Sequence, residues 1–285
     1  MILQEMRLTE KIHILKHDFE IMLGPDKKIS RFVNSLIIFG NEITLVDSGV
    51  KDSMDKILSY IEENDRAPSE ISTLILSHSH PDHIGSAKKL KKITNCKVLA
   101  HRAERDWMED IEIQQQERPV PGFLNLVDEP VSIDDYLEHD QILKLDEGLT
   151  LRIIYSPGHS RGSINIEFLE DKILFTADSI PLMNDIPNYE DYHDLEKSLK
   201  SIQQHRDAEI ILSSWTSPIT DRDEIKGLLD DAKTYLKQLD DCVTKIYTGH
   251  ENSPLEFCKQ VIEELNLPEF YINTIVDKAF RTHIR

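Results

Sequence analysis

Residues 77–86 read Ser77-His78-Ser79-His80-Pro81-Asp82-His83-Ile84-Gly85-Ser86, which places three imidazoles and one carboxylate within six positions. Neutral imidazole nitrogens and carboxylate oxygens are ligands that suit zinc, iron or manganese. The preceding run, Thr73-Leu74-Ile75-Leu76, has the apolar and β-branched content of a buried strand, and a helix is predicted to begin near Ile84. The segment therefore predicts a metal site on a loop between a strand and a helix, with a solvated loop as the competing interpretation.

Three further segments read as strand ends that carry an acid or a histidine. They are Thr44-Leu45-Val46-Asp47-Ser48-Gly49, Tyr155-Ser156-Pro157-Gly158-His159-Ser160 and Phe175-Thr176-Ala177-Asp178-Ser179. Together with His-x-His-x-Asp-His, they resemble in order the landmarks of the metallo-β-lactamase superfamily, although Ala177 replaces a glycine. The resemblance covers about residues 10 to 220. It implies an α/β fold, the four-layer αββα sandwich of that family, followed here by a C-terminal helical extension.

The resemblance also implies a ligand set for one or two metal ions. In the family, three histidines bind one metal, an aspartate and a histidine bind the other, and a second aspartate bridges the two. By motif, these ligands correspond in that order to His78, His80 and His159, to Asp82 and His83, and to Asp178. The implied cofactor is zinc, as one or two ions, and iron or manganese would also suit these ligands.

Two residues at strand ends, Asp47 and His101, are expected near this site without binding a metal themselves. In the resembled family the acid at the position of Asp47 lies beneath the metals and orients their ligands, a task that imidazole ligands generally require. The alternative is that Asp47 only forms part of a turn or a helix cap. His101 also follows a strand, and we interpret it as a structural residue or one that supports a ligand.

One landmark of the family is missing from this chain. The strand Glu209-Ile210-Ile211-Leu212 should be followed by a final histidine, but the next residues are Ser213-Ser214-Trp215-Thr216-Ser217-Pro218. Alignment by position puts Trp215 where that ligand would be. Water or His193 could complete a second metal site, His250 is a poor substitute, and a single metal ion is an open alternative.

The charge balance restricts the class of partner. The chain has 33 basic and 52 acidic residues, and its formal net charge is −19. A strongly acidic surface repels phosphate backbones and anionic headgroups, so we expect a small-molecule substrate and neither nucleic acid nor membrane as partner. Three widely spaced cysteines, no leader-like start and no long apolar run indicate reduced thiols and a cytoplasmic protein.

The 285 residues are predicted to divide into two parts. Residues 1–220 would form the metallo-β-lactamase-like domain, and residues 221–285 a helical appendage that covers the site or carries a homodimer contact. Within the domain, residues 103–142 break the alternation of helices and strands and are too long for a simple connection. Such excursions tend to be binding loops, so we predict a lid or flap over the metals.

Several residues near these landmarks are candidates for substrate binding. Phe123 in the flap would form an apolar wall, or it would only bury the flap against the sandwich. Arg161 follows the Pro-Gly-His motif and would bind a carboxylate or phosphate, or it would pair with one of the many acids. The remaining candidates are Tyr189, His193 and Trp215.

Hydrolysis is the reaction that the resemblance favours. Glyoxalase II, lactonases and thioesterases in the family attack a carbonyl with a metal-bound hydroxide, which implies an ester, thioester or lactone substrate. Asp82 would hold the hydroxide and move its proton. The alternatives are a mononuclear-iron oxidoreductase of the persulfide dioxygenase type, which needs fewer ligands, and a non-catalytic ligand-sensing protein with the same pocket.

Overall fold

Seven strands in sequential order form the first of two sheets. The computed structural model describes residues 5–22, 28–146, 148–204, 207–250 and 253–284. Strands β1 to β4 are antiparallel neighbours, whereas β4 to β7 run parallel. The strands are β1 (Glu5–Arg7), β2 (Ile12–Met22), β3 (Lys28–Phe39), β4 (Ile43–Val46), β5 (Ile71–Ile75), β6 (Lys97–His101) and β7 (Asp135–Leu137).

The second sheet has five strands in the order β12-β11-β10-β9-β8. The four strands β8 to β11 are antiparallel neighbours, and β12 joins β11 in parallel. A turn that contains Gly148 lies between β8 and β9. The strands are β8 (Ile142–Asp146), β9 (Leu149–Tyr155), β10 (Ile164–Phe168), β11 (Ile173–Ala177) and β12 (Ile210–Ser213).

Apolar residues on both faces of the first sheet explain the layered packing. In β3, Leu36 and Ile38 face the second sheet, where they share a core with Ile153 and Ile166. Ile37, between them in sequence, packs in the cluster on the opposite face. A strand alternates its side chains between two faces, so a continuous apolar run is the pattern of a sheet that is covered on both sides.

Short helices cover the outer face of the first sheet. Ile57 and Ile61 of α1 and Leu90 of α3 pack against Leu45 and Leu74. The helices between β4 and β7 are α1 (Met54–Glu63), α2 (Pro81–Ile84), α3 (Ala87–Thr94), α4 (Arg105–Glu109), α5 (Ile111–Glu117) and α6 (Phe123–Leu126). The excursion at 103–142 thus contains three helices and the edge strand β7.

The outer face of the second sheet is covered by α7 and by the helices of residues 221–285. Leu174 and Ile211 of the sheet belong to one apolar cluster with Leu199, Leu239 and Val261 from these helices. The order of layers is helix, sheet, sheet, helix, which confirms the α/β four-layer fold. The division at residue 220 stays a prediction, and the helices are α7 (Tyr192–Ile202), α8 (Arg222–Ile246), α9 (Glu256–Glu264) and α10 (Thr274–Arg281).

Two further features concern the cysteines and the character of the helices. Cys96, Cys242 and Cys258 are buried and make no disulfide, as expected of ordinary thiols. Among the helices of the described ranges, none combines the length and the apolar character that crossing a membrane requires.

Candidate metal centre

All the loops that carry candidate ligands lie at one edge of the sandwich. Strands β4 and β5 are parallel, so the loops that follow them, at Asp47 and at 77–83, meet at the same edge. Strands β9 and β11 are both antiparallel to β10 and therefore parallel to each other, which brings together the loops at His159 and Asp178. The four motifs meet because sheet topology aligns their carboxyl ends.

Four of the predicted ligands converge on one point. One ligand atom from each of His78, His80, His159 and Asp178 lies within 4.8 Å of every other, and all four side chains are buried. His159 Nε2 is 2.8 Å from His80 Nδ1, and Asp178 Oδ2 is 3.3 Å from His159 Nε2 and 3.9 Å from His78 Nε2. The arrangement offers three nitrogens and one oxygen, which suits a tetrahedral ion such as zinc.

Asp82 and His83 lie on the other side of Asp178. His83 Nε2 is 3.4 Å from Asp178 Oδ2 and 3.8 Å from Asp82 Oδ2. The same carboxylate oxygen of Asp178 is thus within 4 Å of nitrogens of His78, His159 and His83. All six residues that the motifs single out as ligands are brought together at this edge.

Asp47 determines which nitrogen of two ligand imidazoles faces the centre. Its Oδ2 accepts hydrogen bonds from His83 Nδ1 at 2.8 Å and from Ser77 Oγ at 2.7 Å. Because the Ser77 hydroxyl proton goes to Asp47, Ser77 Oγ accepts from His78 Nδ1, 3.0 Å away. Both histidines therefore carry their proton on Nδ1 and direct the lone pair of Nε2 toward the centre, where a cation is needed.

The electrostatics of the centre also favour a cation. Burial lowers the pKa of His78 and of His80 well below the usual range, so both imidazoles are neutral, as metal ligands must be. Burial opposes a charge on His83, but the carboxylates of Asp178, Asp47 and Asp82 outweigh burial and raise its pKa well above the usual value. This field attracts a positive charge at His83 Nε2, which a metal ion would supply in place of a second proton. Within the described residues, His78 Nε2, His83 Nε2 and Asp178 Oδ1 are buried without a hydrogen-bond partner. These orphaned atoms fit a bound metal.

Gly158 allows the second sheet to present His159. Its φ is +125°, and a Cβ built on it would stand 2.1 Å from the Leu195 backbone nitrogen at the start of α7. The Gly158 carbonyl also accepts from the backbone nitrogens of Glu190 and Asp191, at 2.7 and 3.0 Å. A side chain at this position would force the strand end and the helix apart.

We expect Gly158→Ala to lower the free energy of unfolding by about 3 kcal/mol, because it combines backbone strain with overpacking. Urea denaturation measures the change. Gly148→Ala is the matched control, since Gly148 also has positive φ, +66°, but a Cβ there meets nothing within 4 Å. It should cost only about 1–2 kcal/mol. Equal losses in the two variants would show that the contact with Leu195 is unimportant.

Sequence analysis missed Glu104, a buried carboxylate that joins two ligand loops. It accepts hydrogen bonds from the backbone nitrogen of Ser79 at 3.0 Å and from the Ser79 hydroxyl. From the other loop it accepts from Ser160 Oγ at 2.7 Å and from the Gly162 nitrogen at 2.5 Å. Burial raises the pKa of Glu104, and these donors oppose the rise. In the sequence, the role of Glu104 was indicated only by its position three residues after His101, a histidine at a strand end.

A cavity of about 460 Å³ opens over the centre. His80, Asp82, His159 and Asp178 line its floor, and most of its walls are apolar. The walls come from β2 and β3, from the excursion, from the segment after β11 and from the C-terminal segment. They include Phe19, Ile21, Ile29, Val120, Leu126, Ile186, Tyr189, Trp215, Ile272 and Ile275. Two predicted substrate contacts, Tyr189 and Trp215, therefore lie at the cavity.

Three other predicted substrate contacts do not line it. Phe123 is buried in the cluster beneath the first sheet, because α6 turns its ring inward. Arg161 stacks over Trp107, 4.2 Å from the ring centre, and pairs with Glu190 at 3.2 Å, so its charge is neutralised outside the cavity. His193 is exposed on the first turn of α7 and is not a substitute ligand.

The remaining histidines considered as ligands also lie elsewhere. His101 stacks on Tyr155 with ring centres 4.3 Å apart, which agrees with a structural role. His250 is exposed in the turn after α8. Neither belongs to the group that converges on Asp178.

The loop after β12 contributes an aromatic ring to the cavity wall. Asn34 anchors this loop by donating its side-chain amide to the carbonyls of Ser213 and Thr216, at 3.2 and 2.9 Å. The Trp215 ring lies 6.4 Å from the ring of Phe19 and 6.0 Å from the Arg31 guanidinium. That Trp215 occupies the position of the missing ligand stays a prediction.

Comparison with known proteins identifies the family. The sequence model of the metallo-β-lactamase superfamily matches residues 30–236. The chain belongs to this superfamily. A metallo-β-lactamase family protein from Thermus thermophilus superposes on it with a TM-score of 0.72 at 17% identity, covering 96% of this chain and 93% of that one. A β-lactamase domain protein from Burkholderia ambifaria gives a TM-score of 0.71 at 15% identity, with 98% and 86% covered.

Relatives by sequence match only part of this member of the metallo-β-lactamase superfamily. An uncharacterized protein of Mycobacterium tuberculosis is 28% identical over 154 residues, which are 50% of this chain and 63% of that protein. The hydroxyacylglutathione hydrolase GloC of Haemophilus influenzae is 28% identical over 148 residues, 51% of this chain and 65% of that protein. The chain thus spans slightly less than two thirds of these relatives' own lengths.

Proposed function

We propose that this metallo-β-lactamase superfamily member is a metal-dependent hydrolase that acts on the carbonyl of an ester, thioester or lactone. The observation that carries the proposal is the convergence of His78, His80, His159 and Asp178 at the floor of a largely apolar cavity. The donor set suits zinc, and the cavity admits a small molecule with apolar parts.

The protein residues divide the work of such a reaction. The imidazoles and Asp178 would hold the ion, which supplies an activated water and an electrophile for the carbonyl oxygen. Asp82 lines the cavity beside this group and is about 8% exposed. Burial raises the pKa of Asp82, so its carboxylate is a better proton acceptor than an exposed aspartate. We assign to it the task of orienting the attacking water and taking its proton.

Relatives with hydrolase names support this choice. Proteins named hydroxyacylglutathione hydrolase occur in Haemophilus influenzae, at 28% identity, and in Rhodopseudomonas palustris, at 24%. The residues of the cavity wall determine which acyl group can bind. Activity assays with a panel of thioesters, lactones and simple esters are therefore needed to find the substrate of this chain.

Elemental analysis of protein purified without added metal tests the metal centre. We expect one or two zinc ions per chain in the unmodified protein and a large loss of zinc in His80→Ala, because that variant removes a buried ligand. His250→Ala is the matched control, since that histidine is exposed in a distant turn and should leave the zinc content unchanged. An empty site in the unmodified protein would contradict the proposal and favour a protein that only binds a ligand.

A mononuclear-iron oxidoreductase is the second candidate function. It is favoured by the loop directly after β12, residues 214–218, which contains no histidine and contributes Trp215 to the cavity wall. One iron per chain, together with oxygen uptake in the presence of a persulfide, would support this candidate. Two zinc ions and hydrolysis of a member of the ester panel would exclude it.

A further inference from the structure

Arg118 differs from every other arginine that lines the cavity. It follows α5 in the excursion, its side chain is about 9% exposed, and it lines the cavity together with Asp82 and Asp178. Arg31 also lines the cavity, but its charge is neutralised by Asp185, which accepts two hydrogen bonds from its guanidinium at 3.1 and 2.9 Å.

The protein supplies a hydrogen-bond acceptor for only a small part of the N–H donors of Arg118. A guanidinium carries five N–H donors. In the described part of the chain, Arg118 donates one side-chain hydrogen bond, from Nη2 to Asn188 Oδ1 at 2.7 Å, and no carboxylate lies within ion-pair distance. Asn188 is neutral and also lines the cavity. The other donors of Arg118 are left for a molecule in the cavity.

A buried guanidinium without a close counter-ion is costly to fold. Burial lowers the pKa of Arg118, although Asp82, Glu190 and Asp178 act in the opposite direction from beyond ion-pair distance. Arginine still remains charged, so the fold carries a buried positive charge that could be avoided with a neutral side chain. Such a charge is expected where it binds an anion from outside the protein.

We propose that Arg118 is the specificity residue of the cavity and binds an anionic group of the substrate, a carboxylate or a phosphate. This inference rests on the proposed hydrolytic function and narrows its substrate class to acidic molecules with an apolar part. A planar guanidinium grips both kinds of oxyanion through paired hydrogen bonds. The apolar part would lie along Ile21, Ile29 and Ile272 on the walls.

The negative net charge of the protein makes a cation in the cavity important for binding an anionic substrate. With a net charge of −19, the surface repels an acidic substrate, and two carboxylates already lie on the cavity floor. Since Arg31 is neutralised by Asp185, Arg118 is the cavity-lining arginine that has no carboxylate partner among the described residues. The metal centre and Arg118 together would offset the negative field along the path of an anion.

Binding of simple amphiphiles to the metal-loaded protein tests the proposal without a need for turnover. The probes are octanoate, octyl phosphate, octanesulfonate and neutral octanol, measured by calorimetry. Octanesulfonate is included because sulfonates coordinate metals weakly, whereas carboxylates and phosphates could bind the ion directly. The loss of affinity in Arg118→Gln, compared between octanoate and octyl phosphate, shows which oxyanion Arg118 prefers.

In the unmodified protein we expect the anions to bind at least tenfold more tightly than octanol. Arg118→Gln should lose about tenfold or more of the affinity for octanesulfonate and leave octanol binding unchanged, and Arg118→Lys should lie between. Arg105→Gln is the matched control, because this exposed arginine in the same excursion pairs with Glu109 on the surface. Equal anion affinity in the unmodified protein and Arg118→Gln would overturn the proposal.

Two measurements separate binding from a structural role. Zinc content and circular dichroism show whether Arg118→Gln keeps its fold, and Arg118→Lys serves if it does not. Asn188→Ala removes the one side-chain hydrogen-bond partner that Arg118 has among the described residues but keeps the charge, so it should weaken the binding of octanesulfonate by a few fold at most. If Asn188→Ala lowered the affinity for octanesulfonate as much as Arg118→Gln does, the result would mean that Arg118 only positions Asn188 and does not bind the anion itself. If the protein hydrolysed neutral esters but no acidic ester, the proposed hydrolase function would be supported and the role of Arg118 in substrate binding would be contradicted.

Discussion

Asp82→Asn should lower kcat by about 10²- to 10⁴-fold on whichever member of the ester, thioester and lactone panel the protein hydrolyses. The variant keeps the shape of the side chain but removes the proton acceptor that lines the cavity beside Asp178. Burial raises the pKa of Asp82 in the folded protein. At pH values above that pKa, the charge on the carboxylate therefore lowers the free energy of unfolding. A neutral amide should therefore leave the free energy of unfolding unchanged or slightly higher.

Steady-state kinetics, urea denaturation and zinc content must be measured on the same preparation. Zinc bound by the three histidines and Asp178 should survive, since these ligands are retained. Asp52→Asn is the control, because Asp52 is an exposed acid at the surface and should behave like the unmodified protein. A kcat within threefold of the unmodified value would show that Asp82 is not the proton acceptor.

Glu104→Ala is the substitution with the largest expected effect on stability. It would leave four buried donors, two in each ligand loop, without an acceptor. Charge-assisted hydrogen bonds and unsatisfied buried donors of this kind together predict a loss of about 3–5 kcal/mol in the free energy of unfolding. Because Ser79 and Ser160 each neighbour a ligand histidine, zinc affinity should also fall by about 10- to 100-fold.

Urea denaturation and competition with a chromogenic chelator measure the two effects. Glu112→Ala removes an exposed glutamate from the first turn of α5 in the same excursion and should change stability by less than about 0.5 kcal/mol. Glu104→Gln should fall between, since an amide can accept from only part of the donor set. A stable Glu104→Ala protein with full zinc affinity would mean that each ligand loop holds its shape alone.

The sequence predicts the ligand set because each ligand stands in a short motif with local chemistry. His78, His80, Asp82 and His83 are within six residues, and His159 and Asp178 each end a recognisable strand. Strand ends of this kind meet at one edge for topological reasons, so the convergence on Asp178 was foreseeable. For Asp47, the family resemblance implied a role beneath the ligands and left a simple turn or cap as the alternative; in the structure Asp47 contacts His83 and Ser77.

Residues of the cavity wall were harder to predict from sequence. Phe123 and Arg161 are the right residue types near the right motifs, but α6 buries the former and Glu190 neutralises the latter. His193 points to solvent although it follows Asp178 closely along the chain. Residue type gives no direction for a side chain in an irregular segment, and direction decides whether it faces a cavity.

By itself, the sequence indicated the family, the layered fold and the candidate ligands, since these depend on short local motifs whose resemblance to the family can be recognised. Only the tertiary structure decided that Glu104 joins the two ligand loops and that Arg118 enters the cavity with one partner. It also decided that residues near Ile272, far along the chain, help to close that cavity. Contacts between distant segments depend on how whole layers pack, and no local pattern of residues records that packing.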